Sequence, residues 1–125
     1  MTQSNKEIVL EVLKRSFIDH DPTVVRQYFA ANYKQHNPAF PDGPSVIAKL
    51  IPTLTALTYE PGIVVADGDL VMVHGRYVGW GPKPMIAVDI FRVANGKVAE
   101  HWDVLQEEVP VANTASGNAM FTKPK

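Results

Sequence analysis

From Ile8 to Phe17 the apolar residues Ile8, Val9, Val12, Leu13 and Phe17 recur at helical spacing, with Ser16 on the same stripe. Ser4 followed three residues later by Glu7 forms a capping box, so the pattern predicts a first helix from Asn5 to Asp19. Asp21-Pro22 then supplies an N-cap and a first-turn proline ahead of Val24, Val25, Tyr28 and Phe29, a second and shorter helix. The segments Tyr33 to Pro38 and Phe40 to Pro44 carry three prolines and a glycine and read as extended, turning chain. Asp42 or Ser45 is the expected cap of a third helix. Its Val46, Ile47, Leu50, Ile51 and Leu54 share one side, and Pro52 must bend or end it.

Downstream the period changes from helix to strand. Ile63 to Ala66 is an apolar run stopped by Asp67-Gly68-Asp69, and Leu70 to Trp80 resumes with β-branched and aromatic residues. Gly79, Gly81, Pro82 and Pro84 break that run before the segment Asp89 to Asp103, two apolar stretches joined by Asn95-Gly96. Asn-Gly favours a two-residue turn with positive φ at both positions, so a hairpin is expected. A regular ladder from that turn sets Phe91 against Glu100, Ile90 against His101, Asp89 against Trp102 and Val88 against Asp103. Side-chain alternation then puts Val88, Ile90, Arg92, His101 and Asp103 on one face and Asp89, Phe91, Glu100 and Trp102 on the other. A β-bulge would exchange the two assignments. Helices first and about four antiparallel strands after predict an α+β domain, with three N-terminal helices packed on a strongly bent antiparallel sheet over a cavity.

Composition narrows the function classes. The 125 residues fit a single domain spanning 1–125. A net charge of -1, with Lys and Arg scattered singly, leaves no basic surface for a nucleic-acid backbone. Cysteine is absent, which removes disulfides, thiolate catalysis and cysteine metal sites. No apolar run approaches the roughly 20 residues that cross a bilayer. The polar start Met1 to Glu7 lacks a signal peptide's apolar core, so a cytoplasmic protein without a membrane partner is expected. Neither a phosphate-binding glycine loop nor a serine-nucleophile motif is present.

The chemistry-bearing residues are Asp103, His101, His36 and His74. Asp103 and His101, two apart on one strand face, suit acid-base work in a water-poor pocket, where burial raises a carboxyl's affinity for protons. His36 with Asn37, in a loop at the cavity mouth, and His74, mid-strand, are expected to bind a carbonyl oxygen or a water. Tyr33, Trp80, Val88 and Ile90 are the expected ligand-binding walls, with Phe40 and Met85 further possibilities in the same role. Three dispersed histidines with no i, i+4 pair give no metal-ligand pattern, and no cofactor is expected. Trp102, Phe91 and Val104, placed on the opposite face, predict a homodimer packed sheet to sheet.

Tyr33-Lys-Gln-His-Asn-Pro38, Asp42-Gly43, the strand from Asp69 to His74, Asp89-Ile-Phe-Arg92, Gly96 to Asp103 and Asn118-Ala-Met-Phe121 together resemble the SnoaL-like polyketide cyclases of the NTF2-like group. The resemblance implies a cone-shaped α+β barrel with a deep apolar pocket and frequent dimerisation through the sheet. It also implies intramolecular aldol ring closure, or a related isomerisation, of a small apolar carbonyl compound without metal or organic cofactor. Family cyclases often carry an acidic residue four positions after the motif tryptophan, where this chain has Gln106, so the acid-base role falls to Asp103. Epoxide hydrolases of the same superfold resemble the hairpin in having an aspartate at the position Asp103 holds. A water-activating hydrolase and a non-catalytic ligand-binding protein are the alternative readings.

Overall fold

The computed structural model describes residues 3–123. Met1 and Thr2, the start of the polar N-terminal segment, and Pro124 and Lys125, the end of the expected domain, lie outside the described residues. The order is α1 (Asn5–Phe17), α2 (Thr23–Tyr28), β1 (Phe29–Gln35), α3 (Pro44–Leu50), a 3-10 turn (Ile51–Thr53), β2 (Thr58–Asp67), β3 (Leu70–Val78), β4 (Met85–Ala94), β5 (Lys97–Glu107) and a second 3-10 turn (Val111–Asn113). The architecture is α+β, with helices against a five-stranded mixed sheet of order β1-β5-β4-β3-β2. No helix among the described residues is long and apolar enough to cross a membrane.

Local chemistry accounts for most element ends. The Ser4 hydroxyl accepts the Glu7 N–H at 3.1 Å while the Glu7 carboxylate accepts the Ser4 N–H at 2.9 Å, the expected capping box. α1 stops at Phe17 rather than Asp19 because the chain turns through His20 at φ 54. α2 starts one residue later than expected, with Pro22 rather than Asp21 at the N-cap and no side-chain cap, while Asp21 accepts the Thr23 N–H at 3.0 Å. Neither Asp42 nor Ser45 caps α3: Gly43, at φ 94, takes that position, and Asp42 instead accepts the Gln35 N–H at 2.8 Å. Pro52 ends α3 in the 3-10 turn, as its missing N–H requires.

Two features depart from a helix block followed by an antiparallel meander. β1 begins at Phe29, expected to end the second helix, and runs into the segment read as extended, turning chain; it pairs in parallel with β5, Gln35 opposite His101, and separates α2 from α3. Its burial does not alternate regularly, since Phe29 and Tyr33, four apart, are its buried residues, with a register shift between Phe29 and Lys34. The second departure is in the hairpin. Asn95 and Gly96 do form the turn, at φ 53 and 76, and Val93 pairs with Val98 as expected. Beyond that, Ala99 is extra: Arg92 pairs with Glu100, Phe91 with His101, Ile90 with Trp102, Asp89 with Asp103 and Val88 with Val104. One bulged residue turns every later β5 side chain to the other face relative to β4.

The inner face carries the core. Val71, Val73, Tyr77, Ala87, Phe91, Val93 and Val98 pack against Val9, Val12 and Leu13 of α1 and Val24 of α2. Leu13 is fully enclosed, so truncation to alanine is expected to cost about 2–5 kcal/mol. The outer face is crossed by the C-terminal segment, where Arg76 pairs with Glu108 at 2.9 Å and Phe121 stacks on His74. Gly62 makes that crossing possible: a Cβ there would sit 2.7 Å from both the Phe121 ring and the Thr122 carbonyl oxygen.

Candidate active site

Between α1, α3 and the inner face of the sheet lies a cavity of about 230 Å³. Phe17, Phe29, Phe40, Leu50, Trp80 and Phe91 make much of its wall. Its polar residues come mainly from three adjacent strands: Tyr33 and Gln35 of β1 with Asn37 just beyond, Asp89 of β4, and His101 and Asp103 of β5. Alternation along extended chain turns Tyr33, Gln35 and Asn37 the same way, and the His36 N–H bonded to the His101 carbonyl at 2.9 Å prolongs the pairing past the end of β1.

The hydrogen bonds fix the protons at this end. The Asn37 backbone N–H, which can only donate, lies 3.1 Å from Gln35 Oε1, so that atom is the amide oxygen, and Gln35 Nε2 donates to the Tyr33 hydroxyl at 3.0 Å. His101 Nδ1, 2.7 Å from the same Gln35 oxygen, must therefore carry a proton. Its Nε2 faces Asp89 Oδ1 at 2.8 Å, and Asp89 Oδ2 accepts the Tyr77 hydroxyl at 2.7 Å. Either Nε2 is protonated beside a carboxylate or Asp89 donates to a bare Nε2; in both cases the pair holds one shared proton. Both residues are buried, at 8% exposure for His101 and 4% for Asp89.

Asp103 sits next to this pair, with its Oδ2 3.8 Å from His101 Nε2. The Asn37 side-chain amide donates to both its oxygens, at 2.8 and 3.0 Å. Burial raises its affinity for protons above the ordinary aspartate value and outweighs the opposing pull of the Asn37 hydrogen bond and His101, while the Asp89 charge adds to the rise. Burial, and then the charges of Asp89, Asp103 and Asp42, push the Tyr33 phenol well above its usual range. Tyr33 thus keeps its proton. Since Gln35 donates to its oxygen, the Tyr33 O–H is free to donate into the cavity.

Asp103, His101, Asn37, Tyr33 and Trp80 line the cavity, and so does Phe40; Met85 packs on the core and is not part of the wall. Val88 and Ile90 are corrections: the Ala99 bulge puts them on the outer face, paired with Val104 and Trp102. His36 is also outside. Its Nε2 meets Glu100 Oε2 at 2.6 Å and its ring stacks on Trp102 at 4.9 Å. His74, opposite Val88 on β3, faces outward against Phe121. Phe91, expected outside with Trp102, lies inside the cavity. The polar wall residues missed are Asp89, misplaced by the regular register, Gln35, hidden in a segment read as extended, turning chain, and Ser16 and Tyr77, read only as parts of a helix stripe and a strand. The alternating Tyr33, Gln35 and Asn37 was the available signal for Gln35.

Asp89, His101 and Asp103 offer ligand atoms within 4.8 Å of one another, a set that could meet a divalent cation. The fit is poor. Both Asp89 oxygens and His101 Nε2 are already bonded to one another or to Tyr77, so a metal would have to displace the shared proton.

The fold and this site can be set beside known proteins. Residues 10–101 match the SnoaL-like domain family, a span that holds Gln35, Asn37, Asp89 and His101 and stops short of Asp103. TsrD from Streptomyces laurentii superposes with a TM-score of 0.68 at 17% identity, over 85% of this chain and 91% of that one. An NTF2-like protein of unknown function from Cytophaga hutchinsonii gives 0.73 at 13%, over 85% and 93%. A protein from Acidithiobacillus ferrooxidans, provisionally described as a polyketide cyclase, gives 0.68 at 16%, over 85% and 91%. No curated protein matches. At such identities the structural likeness carries the fold alone, while the family match covers most of the sequence. The chain belongs to the SnoaL-like family and has the NTF2-like fold.

Proposed function

We propose that this protein is a cofactor-independent enzyme that moves protons on a small apolar carbonyl compound, as an aldol cyclase or isomerase does. The observation that carries the reading is Asp103: a carboxyl of raised proton affinity in an apolar cavity, 3.8 Å from a histidine that shares a proton with a second carboxyl. General acid-base catalysis needs a group able to take and return a proton near the working pH.

In this mechanism the Tyr33 O–H donates to the substrate's carbonyl oxygen. Asp103 removes a proton from the adjacent carbon, and the C–H electron pair enters the enolate. The enolate carbon then attacks a second carbonyl of the same molecule, whose oxygen takes the proton back from Asp103; where a conjugated C=C makes the intermediate a dienolate, Asp103 returns the proton to its γ-carbon instead and the double bond is moved. Negative charge developing on oxygen is stabilised by the Tyr33 O–H, which Gln35 leaves free to donate. Asn37 holds the Asp103 carboxyl so that one oxygen faces the reacting carbon.

The natural substrate is not needed for the test. Hydrogen-deuterium exchange at the α-carbon of 1-tetralone in D2O, followed by NMR, reports the first step directly. The wild-type protein is expected to accelerate it, and Asp103→Asn to lose about a hundredfold or more. No acceleration, or an Asn variant that folds and matches wild type, overturns the reading.

A further inference from the structure

The two walls of the cavity treat their polar groups differently. On the sheet side Gln35, Asn37, Asp89, His101 and Asp103 are all bonded to protein partners. On the helix side α1 contributes Val12, Ser16 and Phe17. Ser16 is 1% exposed, and its hydroxyl has no hydrogen-bond partner. A buried helix serine ordinarily returns its hydroxyl to the carbonyl a turn earlier, and buried polar groups are nearly always satisfied. Ser16 Oγ, His20 Nδ1, Tyr59 Oη and His74 Nδ1 are the unpartnered buried side-chain atoms among the described residues, and Ser16 alone of them belongs to the cavity wall. Its helix neighbours on that face, Ile8, Val9, Val12 and Leu13, are apolar. Alanine there would pack without an orphaned hydroxyl and has the higher helix propensity.

The size of the space limits what can meet that hydroxyl. At the interior packing density of roughly 0.75, 230 Å³ holds on the order of a dozen non-hydrogen atoms, one or two fused rings. Pockets for drug-sized ligands ordinarily measure about 300 Å³ or more.

We propose that the ligand of this cavity is a one- or two-ring compound with two oxygens: a carbonyl or enol oxygen at the Tyr33, Asn37 and Asp103 end, and a second oxygen bonded to the Ser16 hydroxyl. The proposal rests on the cavity being the reaction site. The hydroxyl is closed off in the empty protein and gains a partner only when the Ser16 side chain turns to meet a ligand oxygen in the cavity. Ligands lacking that oxygen leave it orphaned, which makes Ser16 a specificity determinant between otherwise similar apolar compounds.

Calorimetric binding of 2-naphthol is compared with that of 2,6- and 2,7-dihydroxynaphthalene, in wild type and in Ser16→Ala. At least one dihydroxy compound should bind wild type about fivefold or more tightly than 2-naphthol. Ser16→Ala should keep the 2-naphthol affinity, lose that gain, and melt no lower than wild type when empty. The proposal is overturned if neither dihydroxy compound binds more tightly, or if the gain survives in Ser16→Ala. With 1-tetralone exchange intact, such a result removes the second oxygen and leaves the proposed function standing. If none of the three compounds binds and 1-tetralone exchange is not accelerated, both fall.

Discussion

Two histidine-carboxylate pairs share strand β5 and differ in almost everything except length. His101 and Asp89 meet at 2.8 Å inside the cavity; His36 and Glu100 meet at 2.6 Å outside it. The inner pair is buried, with both imidazole nitrogens and both carboxylate oxygens committed. The outer histidine is 40% exposed, lies flat on Trp102, and shares Glu100 with Arg92. The carboxyls respond oppositely along one strand. His36 and Arg92 hold Glu100 below the usual carboxylate range, while burial lifts Asp103 above it. A short His-carboxylate contact is thus no sign of chemistry by itself. What separates the pairs is desolvation and a donor set that leaves one proton to be shared.

The sharpest break between the faces is Asp103→Asn, with its expected loss of about a hundredfold in α-proton exchange. Its stability effect has a definite sign. The folded protein binds the Asp103 proton more tightly than the unfolded chain does, so wild type loses stability as pH rises from the ordinary aspartate value through the raised one. Asp103→Asn lacks that loss. Its melting temperature should gain on wild type across that window, and thermal melts from acid to neutral pH will reveal a gap of the wrong sign if burial does not dominate at Asp103.

Gln35→Leu tests the inner proton assignment with a smaller effect. Activity should fall about tenfold with a changed pH profile, and Gln35→Glu, which keeps an acceptor for His101 Nδ1, should recover part of it. Nitrogen-15 NMR is the deciding readout: the His101 Nδ1–H present in wild type should be lost or exchange-broadened in Gln35→Leu, and an unchanged signal contradicts the assignment of that proton to the Gln35 contact.

Outside, Val65, Met72, Ile90 and Trp102 form one register row across four strands, and Val104 beside it is 67% exposed. This row supports the proposed sheet-to-sheet homodimer, with Phe91 no longer part of it. Val104→Asp should leave the fold and tetralone exchange intact while sedimentation shifts from dimer to monomer; wild type sedimenting as a 13.8 kDa monomer removes the dimer. The smallest effect is expected from His36→Ala, which removes a pair on the outer face: exchange within about twofold of wild type and a melting temperature close to it.

What the sequence discloses and what it hides have the same physical source, the range over which a pattern acts. The Ser4 and Glu7 box, the Asn95-Gly96 turn and the Pro52 stop depend on neighbours in the chain and were all legible. Asp103 and His101 were correctly kept together on one face, because their spacing survives any register. Their company was not: Ala99 is an ordinary small strand residue, and nothing local marks it as the bulge that exchanges Val88 and Ile90 for Asp89 and Phe91. β1 was hidden because its ladder partner lies more than sixty residues away and the register shift between Phe29 and Lys34 interrupts the alternation over its first half. His36 and His74 were assigned by residue type alone, and type does not say which side of a sheet a histidine faces.

The most direct measurement is a carbon-13 NMR titration of the Asp103 carboxyl in the ligand-free protein, assigned by its loss in Asp103→Asn. The account predicts a midpoint above the ordinary aspartate value, the mark of a carboxyl kept poised for proton transfer by its apolar cavity. A midpoint at or below that value would make Asp103 a plain hydrogen-bonded carboxylate, no different in kind from Glu100 on the outer face, and would contradict the assignment of the cavity as an acid-base site.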